Sequence, residues 1–165
     1  MKLTERVWKA LNSQINEEFH SAYLYLAMSC WCEENGWPGC AHWLTTQAKE
    51  EIGHAMKFLR YIQSRNNPVK LTEIKTPAVN WKSVQEIFDT VLEAERKTTG
   101  LICAITKIIA EEEDYTSQSL IQWFLDEQVE EEQNAEKIVQ ELSIIGEHTS
   151  ALFMFDRELG RRTDS

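Results

Sequence analysis

Residues 50–58 read EEIGHAMKF, and this stretch carries two ionisable side chains on the apolar side of a helical pattern. At about 100° per residue, Glu51 and His54 fall on the same face as Ala55 and Phe58. Removing a charged group from water costs several kcal/mol unless an opposite charge, a hydrogen bond or a bound cation compensates it. The pattern therefore predicts a helix whose polar residues face a compensating group inside the core.

The rest of the chain continues this helical periodicity in long segments. We predict helices at about 3–34, 38–65, 83–110, 116–145 and 150–159, with an extended connection at about 67–82. Turn and capping signals mark the helix ends: Asn35-Gly36, Pro38, a capping box from Ser83 to Glu86, and Gly146. Short hinges and one long connection predict a single all-α domain, 1–165, folded as a four-helix bundle with one crossover connection and a short fifth helix.

Charge and composition exclude several classes of function. The net charge of −10 argues against a nucleic-acid partner and favours cations. The N-terminal residues lack the apolar run of a signal peptide, and no stretch approaches the roughly 20 apolar residues of a membrane span. The four cysteines match neither a zinc ribbon nor a secreted disulfide framework, so we interpret them as reduced thiols of a cytoplasmic protein.

The four long predicted helices each carry a carboxylate within an apolar stripe. These residues are Glu18, Glu51, Glu95 and Glu131. On the first helix the stripe consists of Val7, Leu11, Ile15, Ala22 and Leu26. The middles of the helices meet in an antiparallel bundle, so we expect the carboxylates to converge, with His54, Gln128 and Tyr25 nearby. No lysine or arginine is predicted at this level, so either shared protons or bound cations must balance the charge.

A pair of divalent metal ions would match the charge of four carboxylates. Residues three apart on a helix lie side by side, so Glu51 and His54 can reach one metal together. Glu51 would then bridge the two metals. A ligand set of oxygens with one imidazole suits iron or manganese better than a structural zinc or a thiolate site.

Five stretches of the sequence form a specific combined pattern. They are NSQINEEFHSAYLY at 12–25, KEEIGHAMKF at 49–58, LEAER at 92–96, IQWFLDEQVEEE at 121–132 and LFMFDREL at 152–159. In these stretches the chain resembles the non-haem ferritins of bacteria and archaea over nearly its whole length. The resemblance implies a ferritin-like bundle that oxidises Fe(II) with O2 or H2O2. It also implies a homo-oligomeric shell of 24 subunits that stores the Fe(III) mineral.

The resemblance also implies the residues of a dinuclear ferroxidase centre. One iron would be held by Glu18, Glu51 and His54, and the other by Glu51, Glu95 and Glu131. Gln128 would lie close by, and Tyr25 would be a redox-active or hydrogen-bonding neighbour. A third iron position is implied at Glu50, Glu127, Glu130 and Glu131. Taken without the resemblance, Glu50, Glu127 and Glu130 are also typical of a solvated acidic helix face.

Some positions depart from related families. Asn134 stands where bacterioferritins, rubrerythrins and ribonucleotide-reductase-type proteins place a second metal-binding histidine, so the centre is expected to be asymmetric. Ile52 stands where bacterioferritins ligate haem through a methionine, so no haem is expected. Miniferritins of the Dps type lack the fifth helix and build their sites across a subunit interface. In this chain, by contrast, a fifth helix is predicted and the candidate ligands lie on all four long helices of one chain.

Other departures concern the surface of the bundle. Gln118 and Ile121 occupy positions where animal ferritins place acids of their threefold iron channel, so the resemblance does not imply an iron route. We interpret His20 as an exposed or interface histidine, and we expect Trp123 to pack beside the centre.

Two other functions remain open at this point. The first is a soluble di-iron oxidase or peroxidase that acts on a small substrate without storing iron. The missing second histidine and the lack of a substrate-pocket signal disfavour it. The second is a purely structural bundle with protonated acids, although four central carboxylates are a poor arrangement for stability alone.

Overall fold

The computed structural model describes residues 1–163, and these residues form five α-helices and one 3-10 turn. The helices are α1 (Glu5–Glu34), α2 (Pro38–Ser64), α3 (Val84–Glu111), α4 (Gln118–Ile145) and α5 (Thr149–Leu159), with the turn at Tyr115–Ser117. Helix α1 packs along α2, α3 packs along α4, and α1 also packs on α3. The predicted all-α four-helix bundle with a short C-terminal helix is confirmed.

The start of α3 shows how the sequence fixes a helix end. The Ser83 hydroxyl accepts a hydrogen bond from the Glu86 amide at 3.2 Å. Glu86 Oε2 in turn accepts from the Lys82 amide at 2.6 Å. The Ser83 bond satisfies a helix amide as the capping box predicts, whereas Glu86 bonds to the amide of the residue before the cap.

The long connection between α2 and α3 runs beside α1. Trp8 donates from its indole nitrogen to the Pro68 carbonyl at 2.7 Å. The Asn12 side chain both donates to the Lys70 carbonyl and accepts from the Lys70 amide, each at 2.8 Å. Because the backbone of this segment is bonded to α1 rather than to a strand partner, it crosses the length of the bundle as an extended chain.

Two hydrophobic clusters fill the bundle on either side of a polar layer. One contains residues of the second halves of α1 and α4 and of the first halves of α2 and α3, together with Phe155 of α5, and the other contains residues of the opposite halves of α1 to α4. The prediction that Leu26 belongs to the buried apolar stripe of α1 is wrong, because this residue is 38% exposed. The adjacent Tyr25 is buried instead, because one residue of a helix rotates the side chain by about 100°.

Helix α5 packs on the first turn of α2. The Asp156 carboxylate is buried and accepts a hydrogen bond from the Cys40 amide at 2.8 Å. A side chain at Gly39 would place its Cβ 1.7 Å from the Asp156 carbonyl oxygen. Only glycine permits this approach. The apolar stretch of α5 thus packs on the bundle through Phe155, while Met154 remains 74% exposed.

The four cysteines are free thiols, two buried and two exposed. Burial raises the pKa of Cys32 to about 12, so this thiol stays protonated and unreactive at neutral pH. Within residues 1–163, the helices are too short or too polar to cross a bilayer.

Candidate metal centre

A layer of buried polar side chains separates the two hydrophobic clusters. Its four carboxylates come one each from α1 to α4, and their residues are 1–6% exposed: Glu18, Glu51, Glu95 and Glu131. His54 and Gln128 are also buried. Since a buried carboxylate is costly unless it is paired, four of them on four different helices need a common compensation.

Glu18, Glu51 and His54 form the tightest group of candidate ligands. One ligand atom from each lies within 4.8 Å of the other two. His54 Nδ1 is 3.4 Å from Glu51 Oε2, because the two residues are three apart on α2 and share one face. Glu18 reaches them from the facing side of α1.

Glu18 has one satisfied and one unsatisfied oxygen. Its Oε1 accepts a hydrogen bond from the Gln14 side chain at 3.0 Å. Its Oε2 is buried and has no hydrogen-bond partner in the described part of the chain. A buried unpaired oxygen costs free energy, and a bound cation would remove that cost. The residues present therefore fit a metal ion at this position.

Glu95 and Glu131 complete the layer from α3 and α4. The Tyr25 hydroxyl donates to Glu95 Oε1, and the Gln128 side chain donates to Glu95 Oε2 at 3.3 Å. The Gln47 side chain donates to Glu131 Oε2 at 2.8 Å. These bonds hold both carboxylates in place without neutralising their charge.

The electrostatics of the layer favour protonation in the absence of a cation. Burial, and then the neighbouring carboxylates, raise the pKa of Glu18 and of Glu51 well above the ordinary value. Burial also raises the pKa of Glu95, although the hydrogen bond from Tyr25 acts in the opposite direction. Burial and the charge of Glu95 raise the pKa of Glu131 to about 7. Cations that bind here must displace protons, so their binding depends on pH.

Aromatic rings close the layer on the side of His54. The imidazole ring centre lies 5.6 Å from that of Trp123 and 5.7 Å from that of Phe124. Phe124 stacks on Phe58, with 4.0 Å between ring centres and 10° between planes. Trp123 thus packs beside the layer, as the sequence predicts. These rings orient the imidazole and limit the access of water.

The three outer acids lie in different environments. Glu50 is partly buried and forms an ion pair with Arg162, with 2.5 Å between Oε2 and Nη2. Glu127 Oε1 lies 4.0 Å from His54 Nε2. Glu130 is exposed on α4. The structure therefore brings Glu127 next to a central residue, places a cationic side chain on Glu50, and leaves Glu130 facing outward.

The departures noted in the sequence lie outside the polar layer. Asn134 and Ile52 are both exposed. Ile121 is buried in a hydrophobic cluster, and Gln118 is exposed at the start of α4. His20 is partly buried and lines a surface pocket of α1 and α3 rather than the polar layer.

Sequence reasoning missed Gln14, Gln47 and Arg162. Gln14 and Gln47 each lie four residues before a central glutamate, Glu18 and Glu51, so their helical spacing was a usable signal. Arg162 gave no such signal, because it lies 112 residues from Glu50 in the chain. Arg162 pairs with Glu50, which lies outside the four central carboxylates to which the prediction of no lysine or arginine applies.

Four carboxylates and one histidine inside a four-helix bundle define the class of carboxylate-rich metal-binding bundles. The ferritin-like domain family matches residues 8–145. The chain belongs to this family.

Relatives and solved structures agree with the family. The chain is 37% identical to a bacterial non-heme ferritin-like protein of Haemophilus influenzae, with 96% of each chain covered. It is 35% identical to a bacterial non-heme ferritin of Staphylococcus aureus, covering 98% of this chain and 97% of the relative. An open-pore ferritin of the archaeon Archaeoglobus fulgidus superposes with a TM-score of 0.96, at 38% identity and with 98% of each chain covered.

Proposed function

We propose that this protein is an iron-storage ferritin that oxidises Fe(II) in a dinuclear centre within each chain. The observation that carries the proposal is the convergence of four buried carboxylates, one of which has a buried oxygen without a partner. Glu18, Glu51 and His54 would hold one iron, and Glu51, Glu95 and Glu131 the other. Gln128 supports Glu95 by its hydrogen bond.

The ligand set favours oxidation of the bound iron. Hard anionic oxygens stabilise Fe(III) more than Fe(II). Each of two Fe(II) ions gives up one electron. Dioxygen takes the two electrons and two protons to form hydrogen peroxide, or hydrogen peroxide takes them to form two water molecules. The Tyr25 phenol, which is bonded to Glu95, would donate a further electron or hold this ligand in place.

Oxidation also promotes departure of the product. Two Fe(III) ions carry six positive charges against four carboxylates, so further anionic ligands become favourable. Glu50, Glu127 and Glu130, together with Glu131, would form the third iron position. Glu127 is the best placed of them, since it lies 4.0 Å from His54 Nε2.

We further propose that 24 copies form a hollow shell in which the Fe(III) mineral is stored. The relatives named as ferritins and the high structural similarity to an archaeal ferritin support this proposal. The net charge of −10 suits a cavity that collects cations. A cytoplasmic location and the absence of haem are parts of the same proposal.

The experiment that tests the proposal is size-exclusion chromatography before and after aerobic loading with Fe(II). Iron should be assayed in every fraction, at tens to hundreds of ions added per chain. We expect the iron to co-elute with a particle of several hundred kDa. About two irons per chain on a monomer or dimer would instead indicate a di-iron oxidase and would contradict storage.

A further inference from the structure

A cationic side chain from the C-terminal tail lies at the edge of the candidate metal centre. Arg162 donates from Nη2 to Glu50 Oε2 at 2.5 Å and from Nη1 to Gln47 Oε1 at 2.8 Å. Its guanidinium carbon lies 4.7 Å from the centre of the Trp43 ring. The side chains of the ion pair, Arg162 and Glu50, are only 22% and 19% exposed. A guanidinium with three different contacts is docked at a specific place.

The docking surface belongs to a single face of α2. Trp43, Gln47 and Glu50 follow one another at spacings of four and three residues, so they lie in a row. The row offers a ring, an amide oxygen and a carboxylate. A planar guanidinium matches all three at once, whereas a lysine ammonium is a point charge without a planar face.

The tail and α5 also contact α2 at positions other than Glu50. The Arg162 carbonyl oxygen lies 2.8 Å from His42 Nε2. The preceding helix α5 is anchored by the hydrogen bond from the Cys40 amide to Asp156. Loss of the guanidinium contacts would therefore loosen the tail while α5 stays anchored on α2.

The guanidinium is also connected to a central carboxylate. Gln47 accepts from Arg162 through Oε1 and donates to Glu131 Oε2 through Nε2 at 2.8 Å. Gln47 is fully buried, so its amide has few alternatives. Arg162 and Glu131 thus contact opposite ends of the same amide.

We propose that Arg162 is a built-in competitor for the cation position at Glu50. This inference rests on the third iron position of the proposed function. Two positive charges at one carboxylate repel each other, so a metal ion that binds Glu50 must displace the guanidinium. Filling of the third position is thereby coupled to loosening of residues 160–163, and the guanidinium occupies Glu50 until a metal ion binds there.

The test is calorimetric titration of the metal-free protein with Zn2+, which binds without redox chemistry. The wild type is compared with Arg162→Gln, Arg162→Lys and, as a matched control, Arg161→Gln. Arg161 pairs with Glu158 at the exposed surface. Glu50→Gln supplies the baseline for ions that bind elsewhere on the acidic protein.

We expect the third Zn2+ of Arg162→Gln to bind about tenfold more tightly than in the wild type, because a partly buried ion pair no longer competes. The first two ions and the Arg161→Gln variant should be unchanged, and Arg162→Lys should fall between Arg162→Gln and the wild type. Equal affinity for the third ion in wild type and Arg162→Gln would overturn the inference alone. If no protein, including the wild type, bound more Zn2+ than Glu50→Gln, the third position and the inference would both fail.

A second readout separates competition from a merely structural role. Hydrogen exchange of residues 160–163 should accelerate when Zn2+ is added beyond two ions per chain. The same addition to Glu50→Gln should leave the exchange unchanged. Exchange that is insensitive to Zn2+ in the wild type would show that the tail is not displaced.

Discussion

Each central glutamate lowers the stability of the metal-free bundle, because it is either a desolvated charge or a carboxyl that holds a proton at neutral pH. Glu51 is the clearest case, since it offers a ligand atom within 4.8 Å of those of Glu18 and His54 and is 3% exposed. The same position makes it the proposed bridge between two irons. Stability and function therefore make opposite demands on this residue.

Substitution of Glu51 should separate these two demands. We expect Glu51→Ala to slow Fe(II) oxidation by about a hundredfold or more, since both irons lose a ligand. The melting temperature of the metal-free protein should not fall, because relief of repulsion offsets the small cavity. Stopped-flow absorbance measures the oxidation, and calorimetry measures the melting temperature.

Two further variants control this experiment. Glu51→Gln keeps the volume and removes the charge, so it should oxidise iron as slowly as Glu51→Ala. Glu93→Ala changes an exposed glutamate of α3 and should leave both measurements unchanged. Wild-type oxidation rates in Glu51→Ala would exclude Glu51 as the bridge.

Protonation of the layer predicts how the stability of the metal-free protein depends on pH. The pKa of Glu131 rises from 4.5 in a free carboxyl to about 7 in the folded protein. Between these values the folded state binds a proton that the unfolded state has lost, so stability falls as the pH rises from about 4.5 to about 7. This one residue accounts for roughly 3 kcal/mol of that fall.

Melting temperatures of the metal-free protein between about pH 5 and about pH 8 measure this effect. The slope should become smaller in Glu131→Gln, while Glu141→Gln, an exposed change on α4, should keep the wild-type slope. Added Mn2+ should stabilise the protein more at about pH 8 than at about pH 5, because it binds the ionised carboxylates. Parallel curves for Glu131→Gln and wild type would contradict the raised pKa.

At the scale of elements, the close contact between α5 and α2 depends on one glycine. An alanine at Gly39 would place its Cβ 1.7 Å from the Asp156 carbonyl oxygen, and this is backbone that cannot rotate away. We expect Gly39→Ala to displace α5 and to destabilise the protein by about 1–3 kcal/mol. Limited trypsin digestion should then cut the C-terminal tail faster.

A different glycine provides the control for this prediction. Gly100 lies in α3, and the position that an alanine Cβ would take there has no neighbouring atom within 4 Å. Gly100→Ala should therefore stabilise the protein by about 0.5–1 kcal/mol. Its tail should be cut at the wild-type rate. Digestion of the Gly39→Ala tail at the wild-type rate would show that α5 is not displaced, and it would contradict the prediction.

The elements were largely predictable because their causes are local. Apolar spacing and capping residues identify α1 to α4, and the Ser83 cap occurs as predicted. The docking of α5 was not predictable. It depends on the Asp156 contact with α2, which joins residues 116 positions apart in the chain.

At the scale of the whole molecule, the polar layer was predictable for a topological reason. Carboxylates near the middle of four antiparallel helices must meet, whatever the details of side-chain packing. The bonds around them were not predictable, since Gln47 and Arg162 depend on the rotation of α2 and on the path of the tail. Leu26 shows the same limit, because a small error in helix phase moves a side chain from the core to the surface.

Assembly is the level at which the exposed side of α5 becomes important. Met154 is 74% exposed on a helix whose other face packs on the bundle, so it is available to a neighbouring chain of the proposed shell. We expect Met154→Glu to weaken assembly and to leave the individual chain folded, because a charge buried at an interface is costly and the same charge in water is not. Ser150→Glu, an exposed polar change on the same helix, should still assemble. Native mass spectrometry measures the number of subunits, and circular dichroism measures the helical content. A Met154→Glu protein that assembles like the wild type would place the subunit contacts away from this side of α5, and the shell would then have to be built through other faces of the bundle.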